Sequence, residues 1–217
     1  MTFSLGSTPR SLVKYNDQSI SAITEVGSGA GVTDDMVLIK EVTASSDSTI
    51  DFVNGTSDVV LDSTYPIYLF KFINIHPGTD DQTLNVNFRD GGSSYDATKT
   101  TTMFFTRQRE DAANALLTYS TGLDVAQGTG VQPISPDTGA DNDQSASGDL
   151  WLFNPSSTTF VKHFYGQTSC YSAGDYIYNF HYAGYCNVTA AIDGVQFSFG
   201  SGNIDAGTFK LYGLKDS

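Results

Sequence analysis

The sequence predicts an all-β protein, an antiparallel, jelly-roll-like β-sandwich with one short helix and an extended N-terminal arm. Its first indication is a series of about eight to ten short segments in which apolar and polar residues alternate with a period of two. Clusters of glycine, asparagine and aspartate separate these segments. A composition of 12% aromatic residues, 16% charged residues and 21 glycines is typical of strand-rich, turn-rich proteins. A length of 217 residues suits one sandwich domain.

The chain divides into an N-terminal arm, residues 1–34, and a β-sandwich domain, residues 35–217. The arm is polar, and its main apolar residues are Ile20, Ile23 and Val26. Glycines and acids between positions 26 and 35 indicate a turn or linker. We expect an arm of this kind to pack on a neighbouring subunit.

The strands begin at Met36–Val42, the first clearly apolar segment of the sandwich domain. The pair Asn54-Gly55 indicates a tight turn. Tyr65–Ile75 is long and rich in aromatic residues, which predicts a central core strand. In Thr83–Phe88 the apolar residues alternate with two asparagines, so we expect the asparagines to point outward.

The only helical signal lies in residues 107–120, and a long loop follows over residues 123–148. Four apolar positions of the first segment repeat at helical spacing, namely Ala112, Ala115, Leu116 and Tyr119. Gly122 is a plausible helix stop. The second segment has two prolines, many glycines and no period, which predicts an exposed loop at the tip of the protein.

Short strands resume after the loop, and the chain closes with a hairpin. The first of them carries Trp151, the sole tryptophan. At the end, Phe197–Gly207 leads through a glycine-rich turn into a last alternating segment around Phe209 and Leu211.

The charge of the chain argues against nucleic acid and membrane partners. The net charge is −13, and only 11 Lys and Arg residues are spread along the sequence, too few for a basic patch. No apolar run reaches the 18 residues of a spanning helix. The first residues lack the pattern of a secretory signal, so we expect synthesis in a cytoplasm.

Catalytic motifs are not apparent, so no enzyme activity is expected. The three histidines, His76, His163 and His181, form no i, i+4 pair, and structural roles are favoured for each. The sequence has no nucleophile elbow, P-loop or dinucleotide fingerprint. A glycosidase would need two carboxyl groups that face each other across a cleft. The aspartate clusters of the sequence do not exclude such a pair.

No cofactor is expected, and calcium is the one ion that the sequence leaves open. The segment with Asp137, Asp141 and Asp143 is rich in oxygen ligands, which suit a hard cation. It lacks the EF-hand spacing, so a solvated acidic loop is the preferred interpretation. For Cys170 and Cys186 the preferred interpretation is two reduced, buried thiols. A disulfide between neighbouring strands is the alternative.

Aromatic residues crowd the last third of the chain and supply the candidate contact residues. Tyrosine serves as a β-former, as an interface residue and as a platform for sugar rings, in that order of preference. The candidates for glycan or interface contacts are Tyr165, Tyr171, Tyr178, Tyr182 and Trp151.

Three stretches carry a resemblance to a known family. They are residues 42–81, residues 160–207 apart from a short gap at 172–180, and the closing sequence SGNIDAGTFKLYGLKDS at 201–217. Together they resemble a family of β-sandwich structural proteins of tailed phages, especially phages of marine bacteria and cyanobacteria. The motifs are architectural, and they imply a virion component without saying which one.

The resemblance implies a non-enzymatic virion structural protein, exposed on the particle as a capsid decoration or as a component of a tail fibre or baseplate. The expected partners are other virion proteins and further copies of the chain, as a homotrimer, with assembly in the host cytoplasm. The alternative is a glycan-binding adhesin that recognises the host surface.

Overall fold

The computed structural model describes residues 35–215, and within them the chain forms twelve β-strands. They are β1 (Met36–Asp47), β2 (Ile50–Val53), β3 (Ile67–Pro77), β4 (Gln82–Arg89), β5 (Lys99–Arg109), β6 (Ala115–Tyr119), β7 (Gln132–Thr138), β8 (Ala146–Phe153), β9 (Lys162–Tyr171), β10 (Tyr176–Cys186), β11 (Gly194–Phe199) and β12 (Ile204–Leu214). A single 3-10 turn, Thr121–Leu123, follows β6 in this part of the chain.

The strands form two antiparallel sheets with jelly-roll topology. The larger sheet has the order β1-β12-β3-β8-β9-β10-β5-β6, and the smaller has the order β2-β11-β4-β7. The order β1-β12-β3-β8 opposite β2-β11-β4-β7 is that of two interlocked Greek keys, which defines a jelly roll. The predicted all-β sandwich is therefore confirmed.

Two inserted hairpins enlarge one sheet of this jelly roll. The hairpin β5–β6 lies between β4 and β7 in sequence, and the hairpin β9–β10 lies between β8 and β11. In space they continue the larger sheet beyond β8, so that this sheet has twice as many strands as the smaller one.

Phenylalanine rings join the two sheets in the core. Phe197 of β11 lies at the centre, with its ring centroid 5.0 Å from that of Phe209 and 5.8 Å from that of Phe70. Phe72 and Phe52 are 6.0 and 6.4 Å away by the same measure. Because all five rings are fully buried, they remove a large apolar area from water and fix the distance between the layers.

Strand β4 shows how the alternation of the sequence maps onto the sandwich. Its apolar residues are buried in the core as predicted. Asn85 and Asn87 point to the other face but are also buried, contrary to the simplest expectation for outward residues. The side-chain amide of Asn87 donates to the carbonyl oxygens of Tyr95 and Thr129, at 2.5 and 3.3 Å. Hydrogen bonds to loop carbonyls thus replace solvent around this amide.

The predicted helix over residues 107–120 was wrong. The segment is a hairpin in which β5 ends at Arg109 and β6 begins at Ala115. Ala112 lies in the turn with a φ of +59°, which no α-helix contains. The spacing of its apolar residues fits a helix, but pairing of β5 with β10 supplies long-range hydrogen bonds that local propensity does not reveal.

The predicted loop over residues 123–148 was wrong in its centre. Strand β7 occupies Gln132–Thr138 and pairs with β4, and β8 begins at Ala146. Pro133 and Pro136 hide this strand from a sequence reading, yet proline is acceptable at the edge of a sheet, where one side of the strand needs no donor. Ile134 is fully buried, so the segment contributes to the core and is not simply an exposed tip.

The two cysteines lie in neighbouring strands of the larger sheet. Cys170 and Cys186 are both free and buried, which confirms the preferred interpretation as reduced thiols. They occupy opposite ends of the β9–β10 hairpin, because Cys170 pairs with Tyr178 and Cys186 pairs with Lys162.

The predicted arm, residues 1–34, lies outside the described residues. No helix among residues 35–215 is long and apolar enough to cross a bilayer.

Candidate functional site

The outer face of the larger sheet carries a cluster of aromatic side chains. Alternate residues of β8 and β9 point away from the core, and among them Trp151, Phe153 and Tyr165 stack on one another. The ring of Tyr165 lies 6.2 Å from that of Trp151 at 17°, and 5.5 Å from that of Phe153 at 26°. Tyr165 is 49% exposed, so a flat ring surface is available to a partner.

A shallow groove of about 410 Å³ lies beside this cluster, which we call the outer-face groove. Its walls come from β5, β9 and β10, and its lining consists of Thr100, Thr101, Thr102, His163, Phe164, Tyr165, Ala183, Gly184 and Tyr185. Ala183 pairs with Thr102 on one side and with Tyr165 on the other. Because Ala183 has a small side chain between larger neighbours, the sheet surface is depressed at this point.

Gly184 keeps the strands around the groove closely packed. A Cβ atom at this position would lie 2.7 Å from the carbonyl oxygen of Thr100 and 2.8 Å from the ring of Phe164. Both contacts are too short for a real side chain, so only glycine fits between β5 and β9 here.

One end of the groove carries neutral polar groups. The side-chain amide of Gln127 donates to the hydroxyl oxygen of Thr100 at 2.7 Å. Its carbonyl oxygen accepts a hydrogen bond of 2.9 Å from the amide of Asn187. Among the residues that line the groove there is no aspartate, glutamate, lysine or arginine. The groove itself is therefore mainly apolar, with aromatic rings and threonine side chains in its lining, and Gln127 and Asn187 lie beside it through Thr100.

The structure separates the five residues predicted for glycan or interface contacts. Trp151 and Tyr165 lie together on the outer face, whereas Tyr171 is partly exposed at the far end of β9. Tyr178 and Tyr182 are buried on the inner face of β10, so their inclusion as contact residues was wrong.

Hydrogen bonds hold the two buried tyrosines in the core. The hydroxyl of Tyr182 donates to the carbonyl oxygen of Asp149 at 2.7 Å, and burial raises the pKa of this tyrosine strongly. The hydroxyl of Tyr178 accepts from the guanidinium of Arg107 at 3.1 Å. Burial also raises the pKa of Tyr178, while Arg107 opposes that shift.

The sequence reading missed His163 and Tyr185 as neighbours of the groove. Their ring centroids are 6.0 Å apart, on adjacent strands. The alternation of His163, Phe164 and Tyr165 is the signal that indicates His163, since a buried Phe164 places its two flanking residues on the opposite face. Tyr185 reaches the groove through its pairing with His163, which the local pattern does not reveal.

A second, polar cleft lies near the start of β8. It measures about 480 Å³, and Asn74, His76, Asn142, Asp143, Gln144, Ser145, Asp205 and Ala206 line it. His76 is 3.7 Å from the carboxylate of Asp205 through Nδ1, and 3.3 Å from the carbonyl oxygen of Asp141 through Nε2. These contacts agree with the local, structural role predicted for this histidine.

The acidic segment for which the sequence did not exclude calcium binding lies partly beside this cleft. Asp141 and Asp143 follow β7, whereas Asp137 lies within that strand at a φ of +58°. Burial and the charge of Asp81 raise the pKa of Asp137. Within residues 35–215, no three or more His, Cys, Asp or Glu side chains are placed to hold a metal ion.

Two buried lysines flank a buried thiol at one end of the sandwich. Lys99 and Lys162 pair with Cys186 from opposite sides in neighbouring strands. Their ammonium groups donate to the carbonyl oxygens of Gly130 and Val188, each at 2.7 Å, which connects two loops to the sheet. Burial lowers the pKa of both lysines and raises that of Cys186 to about 12, so the thiol is protonated and unreactive at neutral pH.

Comparison of the chain with family models, with curated proteins and with solved structures found no match. The geometry and chemistry of the described residues therefore carry the functional argument.

Proposed function

We propose that the protein is a non-enzymatic structural protein of a tailed-phage virion, exposed on the particle as a capsid decoration or as part of a tail fibre or baseplate. The observation that carries the proposal is the exposed aromatic surface formed by Trp151, Phe153 and Tyr165 on a jelly-roll domain. Contiguous exposed apolar surface of this kind marks contact sites between proteins or with ligands. The activity proposed is therefore contact with other virion proteins.

Two features of the sequence support this role. The net charge of −13 keeps unassembled copies apart in solution through mutual repulsion. The stretches that resemble phage structural proteins fall on two parts of the domain: residues 42–81 cover most of β1 to β3, and residues 160–171 and 181–217 cover much of the β9–β10 hairpin together with β11 and β12. The resemblance thus includes the hairpin that carries Tyr165.

Localisation in the particle tests the proposal. Antibodies against the purified protein should label intact virions at regular positions, and the chain should appear in a map of the particle in several copies. Its absence from purified, protease-treated virions would contradict the proposal. The homotrimer expected from the resemblance stays a prediction, and light scattering coupled to size-exclusion chromatography measures it directly.

A second candidate function, glycan binding in host attachment, is favoured by the outer-face groove. Sugar rings have an apolar face that stacks on aromatic rings, and the groove offers the half-exposed ring of Tyr165 beside the hydroxyl groups of three threonines. Isothermal titration with host-surface oligosaccharides should give millimolar or tighter binding that Tyr165→Ala abolishes. Ile177→Ala is the matched control, because Ile177 is similarly exposed on the same face of β10 but six residues from Ala183. Equal binding by wild type and Tyr165→Ala would exclude the groove.

A further inference from the structure

A second stack of rings lies on the outer face of the larger sheet, next to the outer-face groove. Phe104 of β5 and His181 of β10 pair in register, and their rings stack with centroids 4.9 Å apart at an interplanar angle of 10°. Phe104 is 45% exposed, so much of its ring is in contact with solvent. We call this pair the β5–β10 stack, and we call Trp151, Phe153 and Tyr165 the β8–β9 stack.

The register of the strands places the β5–β10 stack directly beside the groove. On β10, Ala183 lies opposite Tyr165 of β9, and His181 is two residues away on the same face. On β5, Thr102 lies opposite Ala183, and Phe104 is two residues away on the same face. With strands about 4.8 Å apart and a rise of about 3.4 Å per residue, Tyr165 and Phe104 are separated by roughly 12 Å of sheet surface.

Polar groups accompany the two stacks across the sheet. The hydroxyl of Thr102 lies between the stacks and donates to the phenol oxygen of Tyr119 at 3.4 Å. Tyr119 of β6 pairs with Phe104 and is 55% exposed, so it extends the aromatic surface by one more strand. Gln167 is exposed beside His181 on β9 and adds an amide. The outer face thus alternates ring surfaces with groups that can exchange hydrogen bonds.

We propose that this face binds a linear, uncharged oligosaccharide that runs across the strands and contacts both ring stacks. The inference rests on the glycan-binding function proposed above, and it names the kind of glycan and a second contact site for it. A sugar ring has an apolar face that stacks on an aromatic ring, and hydroxyl groups at its rim. A chain of sugars repeats these two surfaces along its length, as the sheet does from Tyr165 to Phe104. A single sugar is too short to contact both stacks, so several linked units are needed.

Charge and shape select this class of glycan. At a net charge of −13 the protein repels polysaccharides that carry carboxylate or sulfate groups. Among the described residues that line the groove, none is a lysine or arginine that would offset this repulsion. The groove is a shallow depression in a sheet surface, so a chain can pass through it without ending there. An internal stretch of a neutral chain therefore fits this face better than a charged or terminal sugar.

A series of chain lengths tests the inference. Cello-, malto- and laminari-oligosaccharides are titrated while the fluorescence of Trp151 is recorded, since this residue belongs to the β8–β9 stack and is the only tryptophan. Between about two and six units, affinity should rise by about tenfold or more once a chain reaches the second stack, because two linked contacts bind more tightly than either alone. Acidic oligosaccharides of the same lengths, prepared from alginate, should bind about tenfold more weakly.

Phe104→Ala separates the contributions of the two stacks. It should lower the affinity for the longest chains to about that of a disaccharide and leave disaccharide binding unchanged, because the β8–β9 stack is intact. Phe104 is exposed, so the variant should fold normally, which circular dichroism checks. Tyr165→Ala should weaken binding at every chain length. Ile177→Ala, also exposed on the outer face of β10, is the matched control and should bind like wild type.

The results that contradict the inference differ from those that contradict glycan binding itself. Equal affinity for short and long chains, or long-chain binding that Phe104→Ala leaves intact, would overturn the second contact site and leave glycan binding at Tyr165 in place. Tighter binding of the acidic chains would overturn the choice of an uncharged glycan. If no neutral chain of any length binds, the inference and the glycan-binding function are both wrong, and a protein partner becomes the occupant of the aromatic face.

Discussion

Replacement of Phe197 by alanine should remove a large part of the stability of the sandwich. The ring is fully buried and lies within 5.0 to 6.4 Å of four other phenylalanine rings. Phe→Ala in a core costs about 3–5 kcal/mol, and aromatic pairs contribute about 0.5–1.5 kcal/mol each beyond their area. With four such neighbours we expect a loss of about 4–5 kcal/mol, a third or more of the stability of a typical domain.

Urea unfolding followed by tryptophan fluorescence measures this loss, since Trp151 is the only tryptophan. Phe197→Leu retains apolar volume and should cost only about 1–1.5 kcal/mol. Phe160→Ala is the surface control, because Phe160 is 70% exposed, and it should change stability by less than about 0.5 kcal/mol. A loss below about 2 kcal/mol for Phe197→Ala would refute the argument that this ring connects the two sheets.

Three further predictions concern an ion pair, the thiols and the groove. Asp193→Ala should lower the free energy of unfolding by about 1–2 kcal/mol, because it removes the two hydrogen bonds of 2.8 and 2.9 Å from Arg89. Cys170 and Cys186 should not react with Ellman's reagent at pH 8 until urea is added, since burial raises their pKa values to about 11 and about 12. Unfolded thiols ionise near 9.0, so above that pH their ionisation should favour the unfolded state, and the urea midpoint should fall. Gly184→Val should destabilise by about 1–3 kcal/mol through overpacking, and circular dichroism during thermal melting should show a lower Tm.

The strands were predictable wherever alternation had only one interpretation. Thr83–Phe88 lies within β4, because its apolar residues alternate and its six residues are too few for a typical helix. Most of Tyr65–Ile75 lies in β3, because its aromatic and β-branched residues favour a buried strand. Residues 107–120 fit both periods. Whether this segment forms a helix or a strand depends on β10, whose Ile177 pairs with Gln108 at a separation of 69 residues. No local pattern contains that information.

The candidate site was predictable only in part, for a related reason. Strand β10 has aromatic residues on both of its faces, with Tyr178 and Tyr182 inside and His181 and Tyr185 outside. Alternation shows that two faces exist, but it does not show which one meets the second sheet. In β9 the outer residues alternate with the buried Phe164, so Tyr165 could be placed on a face together with its neighbours.

The strand order of the larger sheet also dictates when it can be completed during synthesis. β5 pairs with β10, so the β5–β6 hairpin waits for a strand whose Ile177 follows Gln108 by 69 residues, a delay of roughly 3 to 14 s at ribosomal speed. Among the described strands, β1 pairs with β12 alone, through contacts such as Met36 with Leu214, so the first strand of residues 35–215 waits for the last. Throughout this interval β1 and one side of β5 lack their final neighbours, and chaperone binding to the nascent chain would have the greatest effect on yield at this stage.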